Sequence, residues 1–356
     1  MAWLRNFTKA AVLLGASLGG ASLENKVYAQ DAVPNPTAVT TEESLGEKAV
    51  ARLNEYRQKA GLRPVKFDPE LSKDCEAHAN YLRVNNLRPS LINNNLTLSE
   101  RINTFHSEDP KLPGYTPEGK SAAGNVGFVD PISSIDGYIG TFFHRLPLLD
   151  PYITNTGTGA VKNDKDQWFT VTSSGKVNWD RHLQDFVVYP TKNQNNVPLA
   201  MASEDPNPIP NDADGVGGYP ITISWYGPAF DPTAPPSSRR KWSVVTPKNL
   251  EGSLKKFVPA HRAEVVVRNP PGSKDTKLRT KYVDVPESWV DVPFHFASPE
   301  KPVPGPFGRA AYIIAKDPLE NATTYEFSFR GTYPGETPKP FEYKSSFTTV
   351  DTAQGK

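Results

Sequence analysis

Apolar positions near the start of the chain recur at helical spacing. Leu45, Ala49, Leu53, Tyr56 and Ala60 fall three or four residues apart, which predicts a helix entered through Thr41, with Glu42 and Glu43 in its first turn, and stopped by Gly61 and Pro64. A second helix is predicted from Asp68-Pro69, with Leu71, Cys75, His78 and Leu82 on its apolar face, so His78 reads as a core histidine rather than a ligand. A short apolar helix is predicted over 135–143. From Trp168 on the sequence turns to short β-branched and aromatic runs: 168–172, 186–190, 219–226, 242–245, 263–267, 293–296, 310–314, 325–329 and 341–348 are strand candidates, those after 172 set between proline, asparagine and glycine clusters. Tyr325, Phe327 and Phe329 alternate with Glu326, Ser328 and Arg330, as on a strand buried on one face.

Composition bounds this picture. A chain of 356 residues suits two domains, because single cores seldom grow past roughly 250 residues. Forty basic residues against 39 acidic ones leave a net charge of +1, with no sequence-wide field to gather phosphates, so nucleic acid is excluded as a partner. The 35 prolines favour short strands and stiff loops. Arg5 and Lys9 ahead of the apolar run 10–23, with Val27-Tyr28-Ala29 as a cleavage site, read as a signal peptide over 1–29, followed by a linker over 30–42. The expected product is secreted, extracellular or periplasmic and cell-envelope, with no stable membrane span once the signal is removed. A lone cysteine, Cys75, forms no internal disulfide and reads as a buried, inert thiol.

Candidate chemistry gathers between 106 and 151. His106-Ser107-Glu108-Asp109-Pro110 is followed by the glycine-rich Ala122-Ala123-Gly124-Asn125 and by Phe142-Phe143-His144-Arg145. Imidazoles and carboxylates are the donors a borderline metal such as zinc takes, although the two histidines lie 38 positions apart rather than at a compact ligand spacing. A purely structural reading places His144 and Arg145 at a helix C-terminus, opposing its exposed carbonyls. The sequence has no nucleophile elbow, phosphate-binding loop or dinucleotide fingerprint, and Asn211-Asp212-Ala213-Asp214-Gly215 reads as a turn rather than a calcium loop.

The run Ala51-Arg52-Leu53-Asn54-Glu55-Tyr56, Gly61-Leu62-Arg63-Pro64, Phe67-Asp68-Pro69-Glu70-Leu71 and Ala77-His78-Ala79 resembles the opening of bacterial CAP-domain proteins, the superfamily of cysteine-rich secretory, antigen 5 and pathogenesis-related proteins. The loop histidine, the glycine-asparagine turn and the His-Arg pair follow in that family's order, over about 43–178. The resemblance implies an α-β-α sandwich with a shallow groove of two histidines and two acids that can take a divalent metal. Carried over, His106 and His144 are the groove histidines and Tyr138 stands where the family has tryptophan. Asp136 or Glu108 could stand for one acid, while Gly124 stands where the family commonly has the other. Asn125 and Arg145 complete the groove candidates. Pro318-Leu319-Glu320-Asn321-Ala322-Thr323-Thr324-Tyr325 resembles the tyrosine corner of immunoglobulin-like and fibronectin type III domains, which implies an all-β sandwich over 181–350 with long loops at 206–218 and 228–240 and a tail over 351–356.

The expected fold class is therefore α+β, a CAP-like sandwich followed by an Ig-like one. The preferred function is a secreted, non-catalytic protein that binds an extracellular or cell-envelope ligand, a lipid or a cell-wall polymer. The alternative is a metal-dependent hydrolase holding a divalent ion such as zinc on His106 and His144, with Glu108 or Asp136 as ligand or base.

Overall fold

Ser44, three residues beyond the expected cap, starts the first helix. The computed structural model describes residues 43–91, 96–178, 185–209, 217–226, 246–267, 279–300, 309–334 and 337–352. The expected signal and linker, Thr41 and Glu42, the 211–215 turn, the 242–245 strand, the 228–240 loop and most of the 206–218 loop lie outside them. Helix α1 (Leu45–Lys59) opens on a capping box, in which Ser44 and Glu47 each accept from the other's backbone amide. Asp68 caps α2 (Pro69–Val84) through the amides of Glu70 and Leu71. Thr97 and Glu100 form a second capping box on α3 (Leu98–His106), and Thr116 caps α4 (Pro117–Ser121).

Helix α5 (Pro131–Ile139) is capped by Asp130 and lies four residues earlier than its apolar run suggests, because Pro131 suits a first helical turn and the backbone turns at Gly140. The four-residue α6 (Arg145–Leu148) follows. Strands β1 (Lys66–Phe67), β2 (Asn125–Gly127), β3 (Asn155–Lys162) and β4 (Trp168–Ser174) form a sheet in the order β1-β3-β4-β2, with β1 parallel to β3 and the other pairs antiparallel.

This sheet carries helices on both faces. α2 lies against Gly157 and Gly159, where an added Cβ at Gly159 would come within 2.2 Å of the Glu76 amide, so helix and strand backbones meet directly. Cys75, Ala79, Leu82, Phe169 and Val171 fill that layer. Burial pushes the Cys75 thiol up to about 12, which keeps it an inert thiol. On the opposite side Ala49, Val50 and Leu53 of α1 join the core that contains Ile135, Tyr138 and Ile139 of α5.

The second region is all β. β5 (Phe186–Tyr189), β6 (Gln194–Val197), β7 (Ile221–Trp225), β8 (Lys248–Val258), β9 (His261–Val267), β10 (Arg279–Val285), β11 (Ser288–Asp291), β12 (Phe294–Ala297), β13 (Ala310–Ala315), β14 (Thr324–Tyr333) and β15 (Lys339–Thr349) make three sheets. Their orders are β11-β8-β14-β15-β6, β12-β13-β7-β5 and the pair β9-β10. Leu250, Leu254, Phe327, Phe329 and Phe347 of the first share one core with Ile221, Ile223, Trp225 and Ile313 of the second. The Tyr325 hydroxyl accepts from the Glu320 amide at 2.8 Å, beside buried Leu319. The β9-β10 ladder continues the β8-β11 ladder past Pro259 and Pro286, and among the described residues each of the two strands pairs with the other alone.

The two regions meet through buried material. The core running from α1 through Tyr152 and Tyr189 into the β strands is continuous. Tyr152 donates to the Tyr226 carbonyl at 2.8 Å, Tyr219 to the Ile139 carbonyl at 3.1 Å, and Arg309 pairs with Asp150 at 2.9 Å. Among the described residues no helix is long and apolar enough to cross a membrane.

Candidate functional site

His106 is the last residue of α3, and its Nδ1–H donates to the Gly124 carbonyl at 2.7 Å. His144 stands at the N-terminus of α6, not at a helix C-terminus, so it has no run of helix carbonyls to oppose. Its Nδ1–H donates to Glu204 Oε1 at 2.8 Å. The Glu204 carboxylate is buried and also accepts from the amides of Phe142 at 2.9 Å, Phe143 at 2.6 Å and His144 at 3.0 Å. Three consecutive N–H groups thus form a concave anion nest around it. Tyr138 stacks on the His144 ring, with centroids 5.6 Å apart and planes at 20°. The two imidazole centroids are 6.4 Å apart.

Asn125 braces this arrangement from β2: its side-chain amide donates to the His144 carbonyl at 2.8 Å, and its own carbonyl accepts from the Tyr138 hydroxyl at 3.1 Å. His106, Asn125, Tyr138 and His144 are therefore brought together. Neither imidazole Nε2 has a hydrogen-bond partner among the described residues, and both rings are half-buried. Burial, reinforced by the neighbouring His144, pushes His106 down to about 4 against the pull of the Gly124 bond, so that ring is uncharged at neutral pH.

Three sequence candidates fall elsewhere. Glu108 is buried beneath the cleft, Oε1 at 2.9 Å from His78 Nδ1 and Oε2 accepting from the Thr116 amide at 2.8 Å, because a buried carboxylate needs such partners. His78 Nε2 donates to the Phe105 carbonyl at 2.8 Å, which satisfies the ring on both sides. Asp136 accepts from Arg52 and from Tyr56, each at 2.7 Å; it precedes Tyr138 by two residues, roughly 200° around a helix, and so faces α1 instead of the cleft. Arg145 is fully buried between the two regions.

With Glu108 and Asp136 placed there, the described residues contain no group of three His, Cys, Asp or Glu side chains able to hold a metal ion. Glu204 is closed off by its four N–H donors. A zinc site takes three or four protein ligands, and two imidazoles do not fit that requirement.

Glu204 is the residue sequence reasoning missed. It sits in Ser203-Glu204-Asp205-Pro206, a loop with no periodicity, and the sole hint was the missing acid at position 124. The structure explains that gap: a Cβ on Gly124 would lie 2.4 Å from the Thr172 carbonyl and 2.8 Å from Ser173 Cα, so no side chain fits there. Gly124→Ala is expected to cost about 1–3 kcal/mol by forcing β4 aside. Urea denaturation checks this, and an unchanged midpoint would contradict it.

Residues 50–173 match the family model of CAP, the cysteine-rich secretory protein family, over about a third of the chain. No curated protein matches the chain. The helices on both faces of the first sheet and the histidine pair beside Asn125 lie within that stretch or at its edge, and the chain carries a CAP domain there.

Proposed function

We propose that this chain is a CAP-domain binding protein of the extracellular or cell-envelope space, whose cleft takes a hydroxyl-rich cell-wall polymer. The observation that carries the reading is the pair of imidazoles, each tethered through Nδ1 and each leaving Nε2 to a ligand. A neutral imidazole with hydrogen on Nδ1 presents Nε2 as an acceptor, which suits a hydroxyl donor. The uncharged His106 gives a phosphate headgroup no cation at that position. Export is supported by Arg5, Lys9 and the apolar run after them. The Leu319–Tyr325 corner favours an Ig-like sandwich for the second region, holding the cleft against its own core. The hydrolase reading would need a third metal ligand, which no described residue of the cleft supplies.

Cosedimentation of the full chain with insoluble peptidoglycan, and separately with phosphatidylglycerol vesicles, tests this. The polymer is expected to retain the protein, with His106→Ala and His144→Ala each weakening retention about five- to tenfold, the value of one lost hydrogen bond. Retention by vesicles alone, or equal retention of both variants, would overturn it.

A further inference from the structure

We infer that the cleft is a joint product of the two regions: the strap 201–205, from the sequence that follows the CAP domain, positions both histidine-bearing elements, with Glu204 setting the orientation and tautomer of His144. This rests on the binding role proposed above and assigns the residue that prepares the cleft for it.

The strap is fastened at three points. The Ala202 amide donates to the Gly140 carbonyl at 3.1 Å, just after α5. Glu204 occupies the amide nest of Phe142, Phe143 and His144 and accepts from the His144 ring. Asp205 pairs at 3.5 Å with Arg101 of α3, the helix that ends in His106. Adjacent carboxylates of one short segment thus hold the two elements that flank the cleft. Glu204 is completely buried, whereas His144 keeps 15% of its side chain exposed, so the carboxylate lies behind the ring and the ring stands between it and solvent.

The chemistry follows from the donor inventory. A carboxylate accepts hydrogen bonds and offers none, so the Nδ1 facing it carries the hydrogen, and in the neutral form of the ring the lone pair lies on Nε2. Without that partner the two neutral tautomers exchange, and the ring turns about its side-chain bonds. Within the CAP stretch the Thr141 hydroxyl reaches Nδ1 only at 3.5 Å while donating to the Tyr138 carbonyl, a longer and uncharged contact, and the Gly124 backbone lies too close to Thr172 and Ser173 to carry a side chain. Glu204 is therefore a positioning residue, acting through His144.

Two-bond proton–nitrogen correlation spectra of the histidine rings, recorded at pH 9 on the full chain, test the assignment alongside the peptidoglycan assay. In the unaltered chain His106 and His144 are expected to show the Nδ1–H form. Glu204→Ala is expected to average the His144 signals between tautomers, leave those of His106 in place and reduce polymer retention at least fivefold. Glu204→Gln retains an acceptor oxygen and is expected to keep the Nδ1–H form and most of the retention. An unchanged His144 tautomer in a folded Glu204→Ala chain would overturn the inference. If that variant does not fold, Glu204→Gln decides, because an Nε2–H form of His144 with retention intact would also overturn it. If the unaltered chain is not retained by peptidoglycan, the proposed ligand is wrong, and the spectra still judge the role of Glu204 on their own.

Discussion

Replacing Arg145 by alanine is expected to destabilise the protein by about 3–5 kcal/mol, because the side chain is a buried cation whose partners are all buried too. Its Nε donates to the Ile139 carbonyl at 2.7 Å, and its Nη1 to the Tyr189 and Pro220 carbonyls at 3.2 and 2.6 Å and to the Thr222 hydroxyl at 3.2 Å. The guanidinium lies 4.9 Å from the ring centres of both Tyr189 and Tyr219. One planar fork thus links the end of α5 to β5 and the start of β7. Truncation leaves backbone carbonyls short of a donor and opens a cavity beside two aromatic rings. Lysine is not expected to rescue it, since an ammonium cannot span those directions or stack in the same way. Differential scanning calorimetry is expected to show a melting temperature lower by roughly 8–15 °C for a domain-sized cooperative unit. A shift under 2 °C would mean that the two regions do not depend on this residue.

The second large effect concerns the buried pair beneath the cleft, where alanine and glutamine at position 108 are expected to behave oppositely. In the folded protein His78 Nε2 faces a carbonyl and Nδ1 faces a carboxylate oxygen, both acceptors, so the pair must hold one proton between Nδ1 and Oε1 as well as the hydrogen on Nε2. Glu108→Ala removes the partner of a completely buried ring and the acceptor of the Thr116 amide, with an expected loss of about 3–5 kcal/mol. Glu108→Gln leaves everything paired: its oxygen accepts from Thr116, its NH2 donates to a neutral Nδ1, and Nε2–H still reaches Phe105. Its expected cost is below about 1 kcal/mol, because a buried polar group that keeps its hydrogen bonds loses little. Chemical denaturation of the two variants separates these outcomes. Equal losses would show that the negative charge itself, rather than the hydrogen-bond count, holds this corner together. Since Phe105 and Glu108 flank His106, the alanine variant is also expected to disturb that ring's bond to Gly124.

The sequence was most legible where local chemistry and burial agree. Asp68-Pro69 marks the start of α2, and the alternation of Tyr325, Phe327 and Phe329 marks β14. Legibility failed where an element depends on something remote. β8 lies inside its sheet between β11 and β14, yet Gly252 breaks its apolar alternation between Leu250 and Leu254; the missing side chain makes room for Phe296, whose ring would lie 2.9 Å from a Cβ there. At the cleft, His106 and His144 were legible as a pair. Their partners were not, because Glu204 follows 60 residues after His144 in an aperiodic loop, and Glu108 turns to a histidine 30 residues before it. Asp136 was misplaced because its sequence neighbourhood does not say which side of α5 meets α1.

The β9-β10 ribbon has a consequence for how molecules of this protein meet one another. Among the described residues neither strand pairs with a third, which leaves an open edge of seven residues on each, roughly 23 Å of template for a foreign strand. Arg262 and Glu264 stand on one face of the ribbon opposite Asp284 and Tyr282, and Lys281 is exposed on the other face. A neighbouring strand laid alongside would meet these charges together with exposed Tyr282 and Val283, so the charges alone oppose self-association along this edge.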